Sequence, residues 1–372
     1  MLIGVPKEIK NREFRAGLTP ASVRELVMHG HEVVVESQLG SGIRVTDDDY
    51  RQAGASVVDT AAAVFAEADL IVKVKEPQLP ECAMLREGQL LFTYLHLAAA
   101  AEITEALIRS GASAIAYETI TGPGGSLPLL APMSEVAGRL SIQAGAHSLE
   151  RAQGGSGTLL GGVPGVAPAR VLIIGGGIVG DNAAYIAKGM GAEVTILDRS
   201  IARLRQLDID YSGRISCVYS TRETIEQYAL AADLVVGAVL LPGAAAPKLL
   251  TRDIISRMRP GSVVVDVAID QGGCFETSRP TTHEDPTYVV DEVVHYCVAN
   301  MPGAVPRTST FALNNATLPY VVKLANGGLE GALRADEDLL AGLNVHQGRI
   351  TCQPVAESLG HEYTPALDAI AS

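Results

Sequence analysis

The sequence predicts an α/β protein made of two Rossmann-like, doubly wound domains that flank an interdomain cleft and are linked by long helices. Three observations carry this. Short apolar runs alternate with helical segments from residue 1 to about 120, and a second alternation of the same kind begins at "VLIIGGGIVG". Stretches with apolar residues at helical spacing lie between the two and again after about residue 305. With 372 residues and 47% apolar content the chain is long enough to bury two cores.

The first alternation reads "LIGVP", a helix from Pro20, "HEVVVE", a helix near Ala61, "LIVKVK", "LLFTYL", a helix near Ala101 and "SAIAYE". Thr19 before Pro20 supplies an N-cap and a pre-organised first turn, and Gly30 ends that helix. The middle stretch "APMSEVAGRLSIQAGAHSLERA" reads as a bridging helix, followed by the glycine-rich "QGGSGTLLGGVPGVAPA" as a mobile connection. The second alternation runs "VLIIGGGIVG", "EVTILD", "ISCVYS", "DLVVGAV", "SVVVDVAI" and "TYVVDE". After residue 305, "RTSTFALNNATLPYVVKLANGG" reads as a long helix with a Ser or Thr cap, a kink at Pro319 and a stop at Gly327–Gly328. It is expected to return the tail to the first domain, so the expected domains are 1–128 with 306–372, and 129–305.

A net charge of −13 leaves no basic stripe for a phosphate backbone, which argues against nucleic-acid binding. The longest uncharged apolar stretch, Leu234 to Pro247, is too short for a bilayer span and is broken by Gly and Pro. The start "MLIGVPKEIK" lacks the pattern of a secretion signal. A cytoplasmic protein without a membrane partner is expected. Five cysteines without a C-x-x-C pair read as buried free thiols.

Gly175, Gly177 and Gly180 match G-x-G-x-x-G between an apolar strand and a helix. The first allows a tight turn, the second lets the backbone approach a pyrophosphate, and the third lets helix and strand pack closely. Asp198 closes the next strand, where a carboxylate accepts hydrogen bonds from an adenosine ribose and repels a 2′-phosphate, so NAD is expected over NADP. Arg199 and Arg203 temper that preference, since an arginine nearby can accept the phosphate, or can simply be a solvated helix face.

Ligands of open α/β sheets bind beyond the carboxyl ends of the strands, and four residues stand there: Arg15, Lys75, His96 and Asp270. Singly, each has an ordinary alternative: a solvated loop arginine, a lysine snorkelling from a strand end, a satisfied histidine near the core, a turn cap. Together, a guanidinium that grips a carboxylate, an ammonium that polarises a carbonyl and an imidazole that moves a proton suit a 2-oxo acid. Lys73, on the same face of the strand as Lys75, reads as an exposed strand-end charge.

Seven segments, among them "IGVPKEIKNREFRAGLTP", "DLIVKVKEP", "APMSEVAGRLS", "VDVAIDQGGCFETSRPTTH" and "VANMPGAVPRTSTFALNNATLPY", resemble the alanine dehydrogenase/transhydrogenase N-terminal family over nearly the whole chain. The resemblance, closest to its alanine dehydrogenase branch, implies reversible oxidative deamination of L-alanine by NAD and water to pyruvate and ammonia. It implies that Arg15 and Lys75 bind substrate and that His96 and Asp270 form the acid/base pair, with residues 1–128 and 306–372 as substrate domain and 129–305 as NAD-binding domain. It points to cofactor contacts at Ser134, Ile178, Val179, Asp198, Arg203, Ser220, Val239, Leu240, Arg279, Val298, Ala299, Asn300 and Met301, and to a homohexamer. Some relatives hold magnesium through a glutamate matching Glu118 and a histidine late in the last long helix. Gly327 stands at the latter position here, so no metal is expected, and "HEDP" at His283 reads as a polar loop. Two relatives of other activity stay open: the nucleotide-binding subunit of a transhydrogenase, which usually lacks a histidine at position 96, and a lysine or saccharopine dehydrogenase. A protein that keeps the fold to sense NAD without turnover is the third alternative.

Overall fold

The computed structural model describes residues 1–239 and 246–371. Its strands are, in chain order, β1 (Leu2–Val5), β2 (Glu32–Glu36), β3 (Ser56–Val58), β4 (Leu70–Val72), β5 (Leu90–Thr93) and β6 (Ser113–Ala116). There follow β7 (Arg170–Ile174), β8 (Glu193–Asp198), β9 (Ser216–Tyr219), β10 (Leu234–Gly237), β11 (Val263–Asp266), β12 (Thr287–Val290) and β13 (Val293–Tyr296), then β14 (Leu343–His346) and β15 (Arg349–Ile350). The chain divides into two compact units, Met1–Met133 with Val305–Ser372, and Ser134–Ala304.

The first unit holds an eight-stranded sheet in the order β15-β14-β6-β5-β4-β1-β2-β3. Its six strands from β1 to β6 are parallel, and β14 joins β6 antiparallel. Ile71, Leu91 and Ala114 of the sheet pack with Phe65, Leu107 and Val345 in a buried cluster, as the continuous apolar runs of a two-sided parallel sheet require. The helix Pro20–Met28 begins as read: the Thr19 side chain accepts the Ser22 N–H, and Gly30 just beyond adopts φ +84°. The second unit holds a seven-stranded sheet, β12-β13-β11-β10-β7-β8-β9, parallel except for β12. Leu172, Val235 and Val264 pack there on Ile255 and Phe275. Both sheets carry the doubly wound order, with the reversal of direction beside β1 and β4 in one and beside β7 and β10 in the other.

The helix expected between the alternations spans Ala131–Ser148, with the unit boundary in its first turn. The glycine-rich stretch behind it, expected to be mobile, is tied down by backbone bonds from Ser156 N–H to the Gly261 carbonyl, Gly157 to Leu149 and Ala169 to Leu160. The long late helix spans Pro306–Ala335 and differs from expectation in its uncapped start and in running on past the glycine pair expected to end it. No side chain caps its start: Val305 is the N-cap and Pro306 supplies the first turn. The backbone stays helical at Pro319 and breaks at Gly328 (φ 65°, ψ −178°), after which helix resumes. No helix among the described residues is long and apolar enough to cross a membrane. Cys82, Cys274, Cys297 and Cys352 are buried free thiols, and Cys217 is a half-buried one.

Candidate active site

Arg15, Lys75 and His96 belong to the first unit and follow β1, β4 and β5, which are neighbours in its sheet. All three therefore lie beyond one carboxyl edge, at and beside the reversal point. Arg15 is not a solvated loop residue: it is 2% exposed and grips Glu13 with two parallel bonds, Nε to Oε1 at 2.7 Å and Nη2 to Oε2 at 2.6 Å. Its Nη1 lies 3.1 Å from Met133 Sδ. Burial works against the guanidinium, but the Glu13 hydrogen bond and charge outweigh it and raise its pKa.

Of the two lysines after β4, Lys73 departs from its reading. Lys73, expected as an exposed strand-end charge, is fully buried, with its ammonium 3.0 Å from Glu8 Oε2 and 2.7 Å from Glu81 Oε1. β4 ends at Val72, so strand alternation does not place the two lysines together; Lys75 is the half-buried one. Burial disfavours the Lys73 ammonium, yet the charges of Glu8 and Glu81 prevail and raise its pKa. The Glu8 pKa is raised as well, first by burial and also by Glu81, because one ammonium balances two carboxylates. Glu8 Oε1 accepts the backbone N–H groups of Val74 (2.7 Å) and Lys75 (3.3 Å).

His96 is exposed and takes a left-handed backbone (φ 51°, ψ 39°). Glu118 after β6 supports that conformation by accepting the N–H groups of Leu95 and, at 2.6 Å, His96. Its Oε1 also lies 3.7 Å from His96 Nδ1. Glu118, the match for a magnesium ligand in some relatives, is thus engaged by backbone donors here. Among the described residues no group of three or more His, Cys, Asp or Glu could hold a metal ion. Tyr94 stacks on the imidazole, centroids 5.8 Å apart and planes 4° from parallel, and donates to the Leu129 carbonyl. Glu8, Glu13, Glu118 and Tyr94 were not singled out as site residues by their spacing. A glutamate between two lysines in "PKEIK" gives no sign that it will meet Lys73, 65 residues away.

In the second unit the glycine triplet forms the turn from β7 into the helix Ile178–Gly189. Gly175 has φ +106°, and a Cβ on Gly180 would lie 1.8 Å from the Gly175 carbonyl oxygen. A Cβ on Gly177 would meet nothing within 4 Å, which leaves open space at the helix N-terminus for a pyrophosphate. Asp198 ends β8 and accepts the Gly176 N–H on Oδ2 and the Ser200 N–H on Oδ1, both at 2.7 Å. Each oxygen keeps a lone pair for a ribose hydroxyl. These features fit a dinucleotide.

Arg203 is not a solvated helix face. Its Nε donates to the Gly176 carbonyl at 2.6 Å and its Nη2 to Asp181 Oδ2 at 2.7 Å, so the guanidinium braces the glycine turn. Ser220 donates its N–H to the Asp198 carbonyl, and Val239 follows β10 beside Gly175. Ile178 is exposed and Val179 buried at the helix start. Asp270 is exposed in the turn after β11 and faces the Asn300 N–H at 3.3 Å from each oxygen. That turn is built on buried Asp266, which accepts from Ala268 N–H, Cys274 N–H and Ser278 Oγ. Val298 and Met301 are buried, and Ala299 N–H bonds the Thr281 carbonyl. Thus residues after β7, β8, β9, β10, β11 and β13 gather at one sheet edge. Arg279 follows Ser278, and its guanidinium lies 4.1 Å from the Tyr288 ring centroid. Ser134 lies at the start of this unit, and Leu240 lies outside the described residues.

Comparison with known proteins adds the lineage. The description "Alanine dehydrogenase/PNT, N-terminal domain" matches residues 4–137, and its C-terminal counterpart matches 141–353. An alanine dehydrogenase of Halomonas elongata is 62% identical over 370 residues, covering 100% of both chains. A solved L-alanine dehydrogenase superposes with a TM-score of 0.94 at 56% identity, over 97% of this chain and 99% of the other. A transhydrogenase from Sinorhizobium meliloti shares the fold, with a TM-score of 0.82 at 24% identity over 95% and 99% of the two chains. By the span of both matches, the chain belongs to the alanine dehydrogenase/PNT family.

Proposed function

We propose that the protein is an NAD-dependent L-alanine dehydrogenase, converting L-alanine, NAD+ and water to pyruvate, ammonium, NADH and a proton, and running in reverse. The observation that carries this reading is the grouping of Arg15, Lys75 and His96 past three adjacent strands, in a chain matched end to end by alanine dehydrogenases. Arg15, charged and oriented by Glu13, serves the substrate carboxylate. Lys75 serves the carbonyl or imine, and His96, steadied by Glu118 and Tyr94, exchanges a proton there. Asp270 shares the proton work as water adds. Bound NAD supplies the hydride acceptor.

Asp198 favours NAD over NADP through its charge, and Arg203 reinforces this because Asp181 and the Gly176 carbonyl already engage it. Ser134, Ile178, Val179, Ser220, Val239, Leu240, Arg279 and the segment Val298–Met301 are assigned to the cofactor on the strength of the family resemblance. A cytoplasmic homohexamer rests on the same ground, and sedimentation velocity tests the stoichiometry. The decisive assay follows NADH absorbance with a panel of amino acids. L-Alanine should give the highest kcat/KM, with NAD+ well ahead of NADP+. A preference for lysine, or hydride exchange between nucleotides without any amino acid, would transfer the protein to one of the rival activities.

A further inference from the structure

Removing the Lys73 and Glu8 charges from water is costly, and a buried ion pair is weak grounds for stability. Its position explains more. The loop after β1 carries both Glu8 and Arg15, while the segment after β4 carries Lys73 and Lys75. Glu8, 7% exposed, divides its carboxylate between two tasks: Oε2 takes the Lys73 ammonium, and Oε1 takes the consecutive N–H groups of Val74 and Lys75. Further bonds fix the carbonyls of the same backbone. Thr93 Oγ1 donates to the Lys75 carbonyl at 2.8 Å, and Tyr117 Oη donates to the Lys73 carbonyl at 2.9 Å.

We infer that Glu8 is a positioning residue for Lys75: anchored by Lys73, it fixes the backbone from which the substrate-binding ammonium projects and ties that segment to the loop bearing Arg15. This rests on the assignment of Lys75 to substrate. Glu8 touches no reacting atom, so its removal should act on the keto acid and spare the nucleotide.

The test is reductive amination with pyruvate and NADH varied separately, on wild type, Glu8→Gln and Glu8→Ala. Glutamine keeps an oxygen for the two N–H groups but loses the charge held by Lys73; alanine loses both. Glu8→Ala should raise the pyruvate KM about tenfold or more, with Glu8→Gln between it and wild type, at least about threefold up, and the NADH KM within about twofold throughout. If Glu8→Ala does not fold, Glu8→Gln decides alone. A pyruvate KM raised less than about threefold in Glu8→Gln, or both KM values rising together, would overturn the role. Absence of pyruvate turnover in the wild type would instead refute the underlying activity.

Discussion

At the scale of single residues, the informative feature is how many charges are buried and how each is matched. Lys73 is the sharpest case, because its side chain is fully buried and its ammonium meets two carboxylates. Replacing it with methionine leaves Glu8 and Glu81 facing each other, and should cost about 3–5 kcal/mol of stability, read as a lowered denaturation midpoint. An unchanged midpoint would show that the carboxylates find other partners. His96 makes the complementary case, since it is exposed and held in a left-handed conformation by a neighbour's carboxylate. His96→Ala should lower kcat by about 100-fold or more and leave the melting temperature nearly unchanged, because the ring contributes chemistry and little packing. The sequence located Arg15, Lys75 and His96 through the strand-end rule. It misread Lys73 as an exposed charge, because its burial depends on where Glu8 and Glu81 arrive in space.

At the scale of elements, the glycine turn after β7 separates packing from ligand access. Gly180 has no room for a side chain, whereas Gly177 has room that a pyrophosphate would use. Gly180→Ala should therefore lower the melting temperature and weaken NAD+ together, while Gly177→Ala should raise the KM for NAD+ with a melting temperature within about 2 °C of wild type. Calorimetry beside steady-state kinetics separates the two. Such a turn is legible from sequence because its residue types follow from local geometry. Other elements left no comparable signal. β12 and β13 meet in a two-residue turn at Asp291 and Glu292, both with positive φ (49° and 60°), without the Asn-Gly pair that usually marks it. β15, with two residues, is too short to show a period. The break in the long late helix was legible from its glycine pair, and it falls at Gly328, whose φ of 65° glycine takes without strain.

Across the whole molecule, the same doubly wound order is used twice, and the β1 and β7 turns show how one topology serves two chemistries. The glycine turn leaves a helix N-terminus open to phosphate; the β1 loop instead brings Arg15 and its carboxylate partner. Acid stability belongs to this scale, because each unit hides a histidine. His295 bonds Thr277 Oγ1 and the Val293 carbonyl, His346 bonds Ser113 Oγ, and burial lowers both pKa values below the ordinary imidazole value of about 6.5. Both rings are then neutral in the folded and unfolded chain above that value. Below it the unfolded chain takes up protons first, so their contribution is lost as pH falls from about 6.5 toward the lower folded values. The melting temperature should therefore drop between pH 7 and pH 5, and His346→Gln should flatten part of the drop. A slope that is the same in the variant would assign the acid sensitivity to other groups.

Labour is divided between substrate groups past β1, β4 and β5 of the first unit and cofactor groups past β7 and β8 of the second. The most direct measurement is the pair of KM values for pyruvate and NADH in Lys75→Ala. The pyruvate KM should rise by about tenfold or more, with the NADH KM within about twofold of wild type. A raised NADH KM with an unchanged pyruvate KM would contradict it.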